Sequence, residues 1–174
     1  MASDRRTRIL IVDDSVVMRS LLRTVVGVDE TLEVAGTAAD GLSALNCIAH
    51  LHPDLMLLDV EMPVMDGLTT LKKLRAAGHC MPVIMCSSVT QRGARVTIES
   101  LASGASDYVA KPVGQASREA ALRALAQDLI PKIHALTDGS KGRMQRQAAF
   151  VGLAGASPNA TASASVTRSA AREL

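Results

Sequence analysis

The sequence predicts an α/β protein in which five strand–helix units build one doubly wound parallel sheet. Short apolar runs alternate with amphipathic helical patterns through residues 7–136. Except in residues 32–38, the runs are apolar without a break, which is typical of strands that helices cover on both faces. The connections are short, and right-handed crossovers then place helices on both sides of the sheet.

Each predicted element has its own local signal. The first apolar run, residues 9–12, ends abruptly at Asp13 and predicts a buried strand. Asp40 is a good N-cap for the second helix, and Gly104 is a normal C-cap for the fourth. Pro131 is expected to kink or restart the last helix. The predicted strands span residues 9–12, 32–38, 55–58, 82–86 and 108–110, and the predicted helices span 17–26, 41–51, 67–77, 92–103 and 117–133.

The composition excludes several classes of protein. Aromatic residues make up 1% of the chain and tryptophan is absent, so the core must be built from aliphatic side chains. This disfavours an aromatic-rich β-sandwich and the nucleic-acid modules that stack bases on aromatic rings. The net charge of +2 comes from basic residues near the two ends of the chain. The sequence therefore predicts no nucleic-acid-binding surface.

Cysteine usage and hydropathy indicate the compartment. The three cysteines have no CxxC spacing, and the four histidines have no metal-ligand spacing. Cys47 and Cys86 lie in apolar runs and predict buried free thiols in a reducing cytosol. No apolar run reaches the length of a membrane span, and the N-terminus does not resemble a signal peptide. We therefore expect a cytoplasmic protein without a membrane partner.

Residues 137–174 differ from the rest of the chain. Of these 38 residues, 21 are Ala, Ser, Thr or Gly, and the hydrophobic periodicity is lost. This composition predicts a flexible tail or an interdomain linker. The sequence thus predicts a folded domain over residues 7–136, followed by a segment without a core of its own.

Polar residues stand where four of the predicted strands end. Asp13 and Asp14 follow the first strand, Asp59 follows the third, Ser87 the fourth and Lys111 the fifth. In an open α/β sheet these strand ends line one crevice. Clustered carboxylates repel one another unless a cation neutralises them, and such oxygen ligands favour Mg2+. Because an aspartate can act as a nucleophile, the set predicts a phosphoryl group on one Asp, neutralised by Mg2+ and lysine.

Further motifs accompany these residues in order along the chain. The full set is Asp13-Asp14, Asp59 with Met62-Pro63 and Asp66-Gly67, Ser87, Gly104-Ala105 and Lys111-Pro112. Over residues 7–130 the sequence resembles the receiver domain of two-component response regulators. The resemblance implies a flavodoxin-like or CheY-like sheet with strand order 2-1-3-4-5. It also implies transfer of a phosphoryl group from a histidine kinase to Asp59.

The resemblance implies a role for each carboxylate of the set. Asp14, Asp59 and the carbonyl of Glu61 would hold Mg2+ directly, and Asp13 would hold it through water. Glu61 thus joins the predicted metal site through its backbone, although its side chain is also acidic. The implied cofactor is Mg2+, and no other cofactor is expected.

The resemblance also implies how phosphorylation is sensed. Ser87 and Lys111 would contact the phosphoryl group, and the bond between Lys111 and Pro112 would be cis. Tyr108 would be the switch aromatic, which turns inward when Ser87 moves toward the phosphoryl group. The output surface would be the face formed by the fourth helix, the fifth strand and the fifth helix.

A narrower resemblance is carried by residues 59–68, 81–90 and 104–112. They are similar to the regulatory domain of the chemotaxis protein-glutamate methylesterase, above all at Glu61 and in the Ser-Ser-Val-Thr stretch that begins at Ser87. This implies a chemotaxis-type histidine kinase as partner and a methylesterase-type output in the parent protein. The catalytic domain is missing from the chain, which ends at Leu174, and Ser157 is expected to be a linker serine. We therefore expect no methylesterase activity from this chain.

Other functions remain as alternatives. The main one is a stand-alone, single-domain response regulator that acts through protein–protein contacts. A phosphatase of the haloacid-dehalogenase type also has a nucleophilic Asp after a strand, but it needs a second Asp where Glu61 stands. A transcription factor needs an output domain, for which residues 137–174 are too short and too rich in small residues. A dinucleotide-binding protein needs GxGxxG after the first strand, which is absent.

Overall fold

The computed structural model describes residues 5–88 and 90–154, with the helical backbone alone for Gln91 and residues 139–154. Strands and helices alternate along this part of the chain. The strands are β1 (Thr7–Val12), β2 (Leu32–Ala38), β3 (Leu55–Asp59), β4 (Val83–Ser87) and β5 (Asp107–Ala110). The helices are α1 (Val16–Val26), α2 (Gly41–Leu51), α3 (Gly67–Ala76), α4 (Gln91–Ala102) and α5 (Arg118–Ala154).

All five strands form one parallel sheet in the order β2-β1-β3-β4-β5. Each neighbouring pair is parallel, with β1 between β2 and β3. The predicted doubly wound fold and its strand order are therefore confirmed. Apart from the end of α5, the predicted ends of the elements differ from the observed ends by at most two residues.

Two apolar clusters cover the two faces of the sheet. Successive side chains of a strand point to opposite faces. Ile9 and Ile11 accordingly pack in one cluster with α1 and α5, whereas Leu10 and Val12 pack in the other with α2 and α3. The central strands are thus buried on both sides, which explains their uninterrupted apolar sequence.

Helix α5 extends beyond the predicted end of the folded domain. It continues through Pro131, so the predicted restart does not occur, and it ends 18 residues after the boundary predicted at residue 136. Thr137 is buried, and its hydroxyl donates to the carbonyl of Ile133 at 2.8 Å. Residues 137–154 lack apolar periodicity but contain many good helix formers, and helix propensity does not require periodicity.

The chain divides into two units, residues 1–140 and residues 141–174. Residues 141–154 of the second unit are helical, and the rest of the predicted linker, residues 155–174, lies outside the described residues. No helix in the described ranges has both the length and the apolar character needed to cross a bilayer. Of the cysteines expected to be buried thiols, Cys86 is buried and Cys47 is partly buried.

The carboxylate of Asp29, in the loop after α1, makes stability depend on pH. Asp29 Oδ2 lies 2.7 Å from His134 Nε2. Hydrogen bonds from Thr31, followed by the contact with His134, lower the pKa of Asp29 from 3.8 to about 2. The folded state therefore favours the carboxylate. Its contribution to stability is present above pH 3.8 and is lost as the pH falls through about 2.

We expect Asp29→Asn to lower the free energy of unfolding at neutral pH by at most about 1 kcal/mol, because solvent screens this partly exposed pair. Urea unfolding at a series of pH values should show the difference from wild type shrinking between about pH 4 and pH 2. Asp138→Asn is the matched control, since Asp138 is more exposed and lies 4.0 Å from His134 Nδ1. A difference that is independent of pH would contradict this explanation.

Candidate functional site

Polar side chains collect at the carboxyl edge of the sheet. Asp13 follows β1, Asp59 is the last residue of β3, Ser87 is the last residue of β4 and Lys111 follows β5. The amide of Lys111 donates to the carbonyl of Ser87 at 2.8 Å, which joins the ends of the last two strands. Residues that are far apart in the sequence therefore meet at one edge because the strands that carry them are parallel neighbours.

Three aspartates form a cluster at this edge. One carboxylate oxygen from each of Asp13, Asp14 and Asp59 lies within 4.8 Å of the other two. Asp13 and Asp59 are only 0% and 3% exposed, whereas Asp14 faces solvent. Ser15 fixes the turn between β1 and α1, because its amide donates to Asp13 Oδ1 at 2.9 Å while its hydroxyl caps α1. The cluster is thus open to solvent on the side of Asp14.

Lys111 lies between the two buried carboxylates. Its Nζ is 2.8 Å from Asp13 Oδ2 and 2.8 Å from Asp59 Oδ1. Burial lowers the pKa of Lys111, but its contacts with the two carboxylates outweigh this effect and raise the pKa above its usual value. Burial also raises the pKa of Asp59, against the lowering effect of Lys111, and the charge of Asp13 adds to the rise. One ammonium therefore neutralises only part of the buried negative charge.

The donor atoms of the cluster fit a small, hard cation. Asp13 Oδ2 is buried and lies 2.8 Å from the ammonium of Lys111, which it shares with Asp59. Three clustered carboxylates around one ammonium keep an excess of negative charge. Oxygen ligands from a few carboxylates, with one side open to water, match the coordination that Mg2+ prefers.

Glu61 lies beside the cluster, but its carboxylate points elsewhere. Its amide donates to Asp59 Oδ1 at 3.3 Å. Its Oε1 is 3.6 Å from Nε of Arg92, on the first turn of α4. The side chain of Glu61 is therefore outside the group of three aspartates, and its predicted part in metal binding depends on the backbone carbonyl alone.

A cavity separates Ser87 from Tyr108. It has a volume of about 330 Å³, lies between α4 and β5, and is lined by both residues. The Ser87 hydroxyl donates to the carbonyl of Ser88 at 3.2 Å, and Tyr108 is 47% exposed at the other side of the cavity. The two residues predicted to act as a switch thus border the same space.

The bond between Lys111 and Pro112 differs from the prediction. No peptide bond within the described residues is cis, so this bond is trans and the predicted cis-proline is wrong for this structure. The trans form of a bond before proline is intrinsically favoured by about 0.5–1 kcal/mol. The sequence carried no local signal for the cis form, which was implied by the family resemblance alone.

Arg19 is a residue of the site that the sequence analysis does not identify, because a charged residue on the polar side of a helix looks like an ordinary solvated residue. Its guanidinium donates to the carbonyl of Asp13 at 2.6 Å and to the carbonyl of Asp14 at 3.1 Å. Side chains of a helix point back toward its N-terminus, so a long cation about one turn into α1 can reach the preceding loop. That spacing after an acidic pair is the signal that could have identified Arg19.

Comparison with known proteins agrees with the resemblance to receiver domains. A family model described as the response regulator receiver domain matches residues 9–123. The protein-glutamate methylesterase/protein-glutamine glutaminase of Trichodesmium erythraeum is 48% identical over 126 residues, which are 72% of this chain and 36% of that protein. The enzyme of the same name from Nocardioides sp. is 45% identical over 129 residues, 74% of this chain and 35% of that protein. The chain thus spans little more than a third of the length of these relatives.

Solved structures of similar proteins have the same fold as this chain. The response regulator domain of Thermotoga maritima CheB is 38% identical with a TM-score of 0.68, covering 77% of this chain and 98% of that one. A chain of the CheX-CheY-BeF3-Mg+2 complex of Borrelia burgdorferi is 26% identical with a TM-score of 0.61, covering 75% of this chain and 89% of that one. The strand order, the carboxylates at the strand ends and these matches agree, and the chain belongs to the response regulator receiver domain family.

Proposed function

We propose that this chain is a phosphoacceptor switch in which Asp59 receives a phosphoryl group from a histidine kinase. One observation carries the proposal: the buried carboxylate of Asp59 is paired with Lys111 at 2.8 Å inside a cluster of aspartates. Fixed positive charge and a cation-binding cluster around one carboxylate are what phosphoryl transfer requires.

In the proposed reaction, a carboxylate oxygen of Asp59 attacks the phosphorus of a phosphohistidine. The P–N bond breaks as the new P–O bond forms, and the imidazole leaves with the electron pair and takes up a proton from solvent. Lys111 exchanges its contact with the carboxylate for one with a phosphoryl oxygen, and the hydroxyl of Ser87 donates to another. Both residues therefore stabilise charge on the group that is transferred.

We propose Mg2+ as the cofactor. Asp14, Asp59 and the carbonyl of Glu61 would hold it directly, and Asp13 would hold it through water. When bound, the ion neutralises charge on the phosphoryl oxygens. The three clustered carboxylates, which share one ammonium, support this assignment, and so does the similar Borrelia protein, which was solved with BeF3 and Mg2+.

The output surface that we propose is the face formed by α4, β5 and α5. Ile98 and Tyr108 are 69% and 47% exposed on it, and both line the cavity that also contacts Ser87. A movement of Ser87 toward a phosphoryl group would enlarge this cavity and make room in it for the ring of Tyr108. Phosphorylation would thus change the shape of an apolar surface that a partner protein could bind.

The matches to protein-glutamate methylesterases favour a methylesterase-type output, either joined to this receiver or acting as a separate protein. A chemotaxis-type histidine kinase would then be the phosphodonor, and the protein would work in the cytoplasm. A stand-alone receiver that acts through protein–protein contacts is the alternative. Pull-down with purified methylesterase domain, with and without phosphodonor, separates the two.

Incubation with acetyl phosphate and Mg2+ tests the proposed function. We expect one phosphoryl group per chain by mass spectrometry of the intact protein. Borohydride reduction followed by peptide mapping should place the acyl phosphate on Asp59. A chelator should abolish uptake, because the clustered carboxylates then lack their cation. Uptake that persists with the chelator, or that maps to another residue, would refute the proposal.

A further inference from the structure

Lys132 on helix α5 contacts Tyr108 in two ways. Its Nζ donates a hydrogen bond to the carbonyl of Tyr108 at 2.6 Å. The same atom lies over the aromatic ring, 5.2 Å from the ring centroid. A lysine ammonium at this distance over a tyrosine is attracted by the negative face of the ring.

Two carboxylates hold the ammonium of Lys132 in this place. Asp128 Oδ1, one turn earlier on α5, lies 2.9 Å from Nζ, and Asp107 Oδ1 lies 3.9 Å from it. The side chain of Lys132 is only 25% exposed, so it is packed between α5 and β5. Its position is therefore fixed by the protein on several sides.

The two contacts respond differently to a movement of the ring. The hydrogen bond joins Lys132 to the backbone of β5 and does not depend on where the side chain of Tyr108 points. The cation–π contact exists only while the ring lies under the ammonium. Tyr108 also lines the cavity of about 330 Å³ that reaches Ser87, and Lys132 is not among the residues that line it. A ring that turned into this cavity would lose Lys132.

We propose that Lys132 is a positioning residue of the switch, whose ammonium holds the ring of Tyr108 in its half-exposed position and so opposes the phosphorylated form. The inference rests on the proposed role of Tyr108. It adds a residue of α5 that stabilises the unphosphorylated position of the ring, in a switch whose other two residues lie on β4 and β5. Loss of the ammonium is expected to favour the inward ring, and hence ligand binding at Asp59, by about two- to fivefold.

The experiment measures binding of beryllofluoride, a phosphoryl mimic, in the presence of Mg2+. The chain has one tyrosine and no tryptophan, so tyrosine fluorescence reports on Tyr108 alone. We expect the half-maximal beryllofluoride concentration of Lys132→Met to fall by about two- to fivefold, while Lys132→Arg keeps a cation over the ring and stays near wild type. Calorimetric titration checks both values, and Lys132→Gln replaces the Met variant if that variant does not fold.

Asp128→Asn is the matched control. It removes the ion pair within α5 but leaves the ammonium beside the ring, so the half-maximal concentration should not fall. A fall as large as that of Lys132→Met would overturn the proposal, because loss of the ion pair alone would then explain it. An unchanged Lys132→Met would also overturn it. If the wild type binds beryllofluoride in the calorimetric titration without a change in fluorescence, the proposed switch role of Tyr108 is wrong, and so is the proposal for Lys132. If the wild type does not bind beryllofluoride at all, the proposed function is wrong.

Discussion

Asp59→Asn is expected to take up no phosphoryl group and to be more stable than the wild type. The amide has no carboxylate oxygen that can attack phosphorus. The substitution also removes one of the two buried carboxylates that share the ammonium of Lys111. Burial is the main cause of the raised pKa of Asp59, because it disfavours the charged form of the carboxyl group. We expect the free energy of unfolding at neutral pH, without Mg2+, to rise by about 1 kcal/mol.

Mass spectrometry after treatment with acetyl phosphate and urea unfolding measure the two effects. Asp66→Asn is the matched control for both. Asp66 caps helix α3 through the amide of Thr69, and asparagine caps a helix as well as aspartate does. This control should therefore keep phosphoryl uptake and stability near wild type. A less stable Asp59→Asn would mean that the ion pair with Lys111 outweighs the repulsion within the cluster.

The fold could be predicted because its pattern repeats along the chain. Leu55 to Leu58 are all buried, and so are Ile9 to Val12, so a fully apolar run identifies a central strand from local sequence. The end of each run then places a polar residue at the carboxyl edge. The family resemblance added the strand order, which the alternation of strands and helices does not determine.

Only the structure explains why the Asp66-Gly67 motif requires a glycine. A Cβ atom on Gly67 would lie 2.0 Å from the carbonyl oxygen of Asp59. Helix α3 therefore begins against the end of β3, and only glycine permits this approach. The sequence singled out Asp66-Gly67 as part of a resemblance, but the contact that requires glycine joins segments that are separated along the chain.

The parts of the site that the sequence analysis missed depend on long side chains that reach between elements. Arg19 donates to the carbonyls of Asp13 and Asp14, and Lys132 lies over the ring of Tyr108. A charged residue on the polar face of a predicted helix looks like an ordinary solvated residue. Its partner depends on how two elements pack, which a pattern within one helix does not record. For Arg19 the only signal is its spacing after Asp13 and Asp14, and Lys132 has none.

Lys111→Met is expected to have the opposite effect on stability to Asp59→Asn. Removing the ammonium leaves Asp13 and Asp59 buried without a positive partner, and breaking a buried ion pair on one side costs about 3 kcal/mol or more. Urea unfolding without Mg2+ should show this loss. Phosphoryl uptake should also fall, because a charge that stabilises the transferred group is missing.

Addition of Mg2+ distinguishes loss of charge from loss of packing. If the cluster binds the ion, Mg2+ should stabilise Lys111→Met more than wild type, since it supplies the positive charge that the variant lacks. Lys72→Met is the matched control, because Lys72 pairs with Glu99 at 2.9 Å on the surface and should cost less than about 1 kcal/mol. If the two Lys→Met variants lose similar stability, or if Mg2+ stabilises wild type and Lys111→Met equally, the buried charges do not govern this site. If the buried charges do govern the site, Lys111→Met should lose more stability than Lys72→Met. Addition of Mg2+, or Asp59→Asn in the same chain, should then restore part of that stability.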